Sequence, residues 1–214
     1  ALYGARAANG VINVVTKKGT KRKGIGVEFS SNYVMERHND LSDLQKSYGS
    51  GEYVSGVATK AATQTQAYNW QDDSWGPKFD GSSTINFDGK TRPYSYAGDN
   101  WSRYLQTGQA FTNSLSFSGG GENQNFRAGI TDLRSTTIVP NSGFDRINLS
   151  FSTQSKFGKK LTLDAKVLYS EEKAKNRPRV SDSPANGIQS IWRMPGDQNV
   201  MDYYGDPNKP GAIA

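Results

Sequence analysis

The chain of 214 residues contains no cysteine. That excludes a disulfide framework, a thiol nucleophile and any cysteine-held metal centre. Histidine is almost missing as well, since His38 is the single example. A serine triad would have to be built on that one imidazole, and a histidine-rich zinc site cannot be assembled at all. No apolar run comes near the ~20 residues that a spanning helix needs, and mean hydropathy is -0.73. A helical membrane protein is excluded. A transmembrane barrel is not, because its strands alternate lipid-facing apolar residues with polar lumen-facing ones and so average to a modest hydropathy.

Proline is sparse at eight residues, whereas glycine reaches 23 and aromatics make up 11% of the chain. That balance suits strands, tight turns and long loops better than helices, and predicts an all-β protein. The net charge is +6, with one dense basic cluster at Lys17, Lys18, Lys21, Arg22 and Lys23. Elsewhere bases are interspersed with acids, so no extended patch for nucleic acid is expected. The acidic pairs Asp72-Asp73 and Glu171-Glu172 lack the spacing of paired catalytic carboxylates or of a calcium loop, and read as solvated charges, as His38 reads as an exposed loop residue. No catalytic residue, metal site or cofactor is expected, and the chain is not expected to be an enzyme.

The strongest pattern is period-2 alternation. Ile25, Val27, Phe29, Ser31 and Tyr33 alternate with Gly26, Glu28, Ser30 and Asn32, giving a first strand with one apolar face. Phe111, Leu115 and Phe117 alternate with threonine and serine in a second, which ends at Gly119-Gly120-Gly121-Glu122-Asn123. A third runs over residues 125–134 with Phe126, Ala128 and Ile130 on one side, and Leu133 breaks its phase. The fourth carries Ile147, Leu149 and Phe151, and turns at Gly158-Lys159-Lys160. The fifth sets Leu161, Leu163, Ala165, Val167 and Tyr169 opposite Asp164 and Lys166. Connections alternate between long (35–110, 135–143 and 173–214) and short. Tight turns at one end and elaborate loops at the other are the asymmetry of outer-membrane barrels. With strand one running outward, Tyr33, Phe111, Phe144 and Tyr169 fall near the outer rim and Phe117, Phe126 and Phe157 near the inner rim, like two interfacial girdles. Alternation by itself also fits a soluble antiparallel sheet.

The first nineteen residues read Ala-Leu-Tyr-Gly-Ala-Arg-Ala-Ala-Asn-Gly-Val-Ile-Asn-Val-Val-Thr-Lys-Lys-Gly. Chemistry alone makes Tyr3-Gly4 and Asn9-Gly10 turn signals, and residues 11–16 a buried strand. The run Arg6-Ala7-Ala8-Asn9-Gly10-Val11-Ile12 followed by Thr16-Lys17-Lys18-Gly19 resembles the plug's closing segment in TonB-dependent receptors, in the form seen in the SusC/RagA family. Asn-Ser-Leu-Ser-Phe-Ser-Gly-Gly-Gly at 113–121 and Gly143-Phe144-Asp145-Arg146 resemble the early barrel of that family.

This resemblance implies a fragment: the plug end at 1–19, a basic linker at 20–24, and the first part of a large antiparallel transmembrane barrel of about 22 strands at 25–214. A signal peptide, an N-terminal extension, a TonB box and most of plug and barrel are expected outside these residues. The plug motif is carried by Tyr3, Gly4, Arg6, Ala8, Asn9 and Gly10. Gly4, Gly10 and Asn9 would set plug backbone geometry, while Arg6 would pair with the barrel wall. The implied activity is TonB-dependent import of a bulky glycan or oligopeptide across the outer membrane. Implied partners are a SusD-like surface lipoprotein, the TonB-ExbB-ExbD complex, the oligosaccharide or oligopeptide ligand, and membrane lipid. The aromatics Trp70, Trp75, Phe79, Tyr94, Tyr96 and Trp101 of the first long loop are candidates to touch ligand or partner, or to pack the loop itself. A surface or soluble β-rich glycan-binding module is the competing class, and it has no need of a plug.

Overall fold

A computed structural model describes residues 17, 19, 22–181, 183 and 186–203. In chain order the elements are strands β1 (Arg22–Glu36), β2 (Glu52–Val54) and β3 (Val57–Thr59), helix α1 (Gln64–Asn69), strands β4 (Ser83–Ile85) and β5 (Thr91–Pro93), and helix α2 (Asn100–Tyr104). Four long strands follow: β6 (Gly108–Gly120), β7 (Gln124–Thr136), β8 (Gly143–Phe157) and β9 (Leu161–Lys175). Helix α3 (Gly187–Arg193) and a 3-10 turn at Val200–Tyr203 close the series.

The five long strands form one sheet in the order β1-β6-β7-β8-β9, while β2-β3 and β4-β5 are separate two-stranded sheets. The long sheet is an open antiparallel meander. All five strands expected from alternation are present, each longer than its apolar stretch; β1, for example, runs from Arg22 to Glu36 rather than over 25–33 alone. The reason is that backbone pairing continues past the point where side chains cease to alternate. Leu133 does not end β7, which continues to Thr136.

The chain divides into two compact units, one of residues 1–32, 111–133 and 146–172, the other of 33–110, 134–145 and 173–214. The first is the body of the strands. Its tight connections are made by Gly121, whose N–H bonds to the carbonyl of Gln124 at 2.7 Å, and by Gly158 at φ 63, a conformation open to glycine at little cost. Among the described residues none of the buried hydrophobics belongs to this unit; all four, Ala67, Tyr94, Ile191 and Val200, lie in the other.

The second unit has a true core. Tyr94 is fully buried. Its hydroxyl donates to the carbonyls of Ser50 (3.0 Å) and Pro77 (3.1 Å), and Phe79 meets its ring edge-on at 5.3 Å between centroids. Gly76 lies so close beneath the Tyr94 hydroxyl that a Cβ there would overlap it. Helix α1 starts with a capping box, in which Thr63 accepts from the N–H of Gln66 and the Gln66 side chain accepts from the N–H of Thr63. Helix α2 starts at Asp99, which accepts from the N–H groups of Trp101 and Ser102.

Candidate functional site

On the long sheet, parity sorts side chains into two chemistries. One face carries a run of polar bonds across neighbouring strands. Arg127 Nη2 of β7 is 2.7 Å from Glu28 Oε2 of β1 and also donates to Ser116 Oγ of β6 at 2.7 Å. Lys17 Nζ reaches Glu28 Oε1 at 3.4 Å. Ser114 and Thr131 share a hydrogen bond of 3.0 Å. Between β8 and β9, Gln154 donates to both oxygens of Asp164 at 3.1 Å, and Arg146 pairs with Glu172 at 3.8 Å. The two pairs lie eight residues apart on each strand, so the antiparallel register is constant between them.

The opposite face presents Ile25, Val27, Phe29, Leu115, Ile130, Ile147, Leu149, Phe151, Leu163 and Val167. Ile25, Val27 and Phe29 are each about two-thirds exposed. Such a band of side chains has no place on a water-facing sheet. Polar side chains share this parity as well: Ser31 Oγ donates to Asn113 Oδ1 at 2.7 Å, so these two polar groups satisfy each other, and Asp132 and Arg134 follow Ile130 on the same parity towards the C-terminal end of β7.

The loop unit holds the aromatic candidates, and the structure separates them. Tyr94 and Phe79 are spent on the core, and Tyr94 has no surface left to offer a ligand. Trp70 is half-buried as the C-cap of α1. Trp101 stands in the first turn of α2, and its indole N–H is buried with no acceptor. Tyr96 is partly exposed, with Lys46 Nζ 5.9 Å from its ring centre. Trp75 is the most open of the six at 68% exposure, and its backbone N–H is held by the carbonyl of Gly51 at 3.2 Å. Beside that Gly51 segment stands Tyr53, itself 62% exposed. The plug-motif residues Tyr3, Gly4, Arg6, Ala8, Asn9 and Gly10 lie outside the described residues.

No periodic pattern in the sequence marks the polar groups that fasten residues 186–203 into the first long loop. Asp197 accepts from both the N–H and the hydroxyl of Ser50 at 2.6 Å. Asn100 donates to the carbonyl of Gln198 at 2.8 Å and accepts from the N–H of Val200 at 3.0 Å. Arg92 grips Asp88 through two bonds of 2.7 and 2.9 Å and reaches Asp202 at 3.1 Å, while Phe87 stacks on Tyr203 at 4.1 Å. The Arg92 bonds hold the Asp88 carboxyl far below the ordinary carboxylate range. Burial pushes the Tyr94 and Tyr203 phenols well above theirs. Asp73 is shifted upward, first by burial and then by the nearby charges of Asp72 and Glu52. Among the described residues no group of three or more histidine or acidic side chains is placed to hold a metal ion.

A meander of long antiparallel strands with one apolar, uncovered face and one polar, cross-linked face defines a class: the wall of a transmembrane β-barrel, seen as an open fragment. Known proteins bear on the particular family. The chain is 29% identical over 150 residues to TonB-dependent receptor P3 of Formosa agariphila, a match covering 70% of this chain and 12% of that protein. In fold it is similar to a chain of the RagAB peptide importer in its closed-closed state, with a TM-score of 0.52 and 16% identity over 89% of this chain and 22% of that one. No family model matches the chain. The resemblance to TonB-dependent receptors thus recurs in a curated relative, and the solved chain is alike in fold. The chain spans about an eighth of the curated relative's length.

Proposed function

We propose that this chain is the end of the plug and the first five wall strands of an outer-membrane transporter that imports a bulky nutrient, a glycan or an oligopeptide, using energy delivered through TonB. The observation that carries this is the uncovered apolar face of β1 and β6–β9, with the Glu28-Arg127 and Gln154-Asp164 bonds on the opposite face. Lipid outside and water inside is the arrangement that such a wall satisfies. In this reading the charged face lines the lumen, residues 1–19 belong to the plug that closes it, and the long loops at 35–110, 135–143 and 173–214 are extracellular. The exposed Trp75 and Tyr53 of the first loop offer flat apolar surfaces for a sugar ring or a peptide side chain, or for a SusD-like lipoprotein seated above. The relative named for TonB dependence and the peptide importer of similar fold support the reading.

A lumen of this girth cannot be filled by wall side chains, so a separately folded element must close it. A plug held by many packed contacts opens too rarely by thermal fluctuation to sustain uptake. Uptake of the native large ligand is therefore expected to stop in cells lacking TonB. Uptake at the normal rate in such cells would refute active import.

A further inference from the structure

The basic stretch after the plug motif reads as a solvated linker, yet its described members touch the wall. Lys17 Nζ sits 3.4 Å from Glu28 Oε1, and the other oxygen of the same carboxylate holds Arg127 at 2.7 Å. Glu28 is thus shared between linker and wall, and Arg127 is fixed in turn by Ser116. Gly19 gives a second, independent contact. A Cβ at that position would overlap the backbone carbonyl oxygen and nitrogen of Phe126. Only a residue without a side chain can lie against the β7 backbone there. Phe126 directly precedes Arg127, so both contacts fall on one spot of the wall.

We infer that Lys17 and Gly19 form a fixed anchor on the lumen face of β1 and β7, so that plug movement during transport begins N-terminal to Lys17. This rests on the transporter reading above. The length of chain supports an anchor that persists over a latch that releases. Gly19 is three residues from the first residue of β1, which allows at most about 11 Å of extended chain. A segment so short, seated backbone to backbone, gains almost no freedom by leaving. The Lys17-Glu28 pair is open to water and screened by salt, so it orients the segment while the Gly19 seat holds it.

The test uses the full-length transporter in cells. The double variant Lys17→Cys, Glu28→Cys is bridged with a short reducible bis-thiosulfonate reagent, and TonB-dependent uptake is measured before bridging, after it, and after reduction. The expected result is efficient bridging with uptake unchanged throughout. Uptake lost on bridging and restored by reduction would overturn the anchor and make the contact a latch. Failure of the two positions to bridge would overturn the docking itself. A second variant, Gly19→Val, is expected to raise trypsin cleavage at the Lys17-Lys18 stretch in the assembled protein, and unchanged protection would remove the Gly19 seat from the argument. TonB-independent uptake by the unmodified protein would instead refute the transporter reading, an outcome distinct from each of these.

Discussion

Leu149 occupies the middle of β8 and is 43% exposed, on the parity that carries no charge between Ile147 and Phe151. If that face meets hydrocarbon, a guanidinium there must be dragged out of water at a cost of about 2 to 4 kcal/mol near the midplane. Leu149→Arg should therefore impair insertion and abolish the heat-modifiable band of the assembled barrel on gels; normal assembly would count against the facing. Tyr94 poses the opposite problem. Its hydroxyl proton is shared by two backbone carbonyls; that of Pro77 also accepts from the Gly49 N–H at 3.5 Å, so Tyr94→Phe leaves the Ser50 carbonyl short of a partner in a buried place. The expected loss is about 1 to 3 kcal/mol in the local stability of the loop unit. Hydrogen exchange at Ser50 to Gly51 would register it, with the strands unchanged.

At the scale of elements, residues 33–110 and 173–203 behave as one folded piece, because Asn100, Arg92 and Ser50 bond residues 197–202 directly. Deleting residues 70–101 removes Arg92, Tyr94 and Asn100 together. It should lower ligand capture or lipoprotein docking and leave residues 186–203 open to protease, while the barrel still assembles, since loops tolerate change better than strands. Unchanged uptake and complex formation would show the segment to be dispensable. The Asp88 carboxylate adds a pH signature. Its folded pKa is depressed by Arg92, so its stabilising contribution is complete above the ordinary carboxylate value near 4 and is lost as pH falls below it. Protease resistance of this unit should hold steady from neutrality to about pH 5 and weaken below about 4, and Asp88→Asn should blunt that acid-side change. Equal loss in wild type and variant would exclude the Asp88-Arg92 pair as its origin.

For the molecule as a whole, the important fact is where burial is absent. Among the described residues the first unit has no buried hydrophobic residue, and its strands β1 and β9 are the two edges of the sheet. A sheet with a bare apolar face and two open edges aggregates in water through both. The isolated chain should accordingly be insoluble or associated in buffer, and gain dispersed β-structure only in detergent or lipid. Circular dichroism with size-exclusion in each solvent decides it, and a monomeric, cooperatively folded chain in plain buffer would sink the wall reading.

All five wall strands were legible in the sequence because alternation is a local property. The side of the sheet on which Leu149 or Asp164 falls is set by parity once a strand exists. Glycine-rich turns, the order of long and short connections, and the family resemblance of residues 6–19 were equally open to inspection, since each depends on neighbours in the chain. Which residues of the loops meet was not legible. Ser50 and Asp197 are 147 positions apart, and nothing in either segment marks one as the acceptor for the other. Tyr94 and Trp75 look alike as loop aromatics, yet one is buried beneath Phe79 and the other stands open. Sequence by itself determined the wall, because a strand's pattern is written at period two. Only tertiary structure decided the loop unit and the Lys17-Glu28-Arg127 contact, because hydrogen bonds between distant polar groups leave no periodic trace.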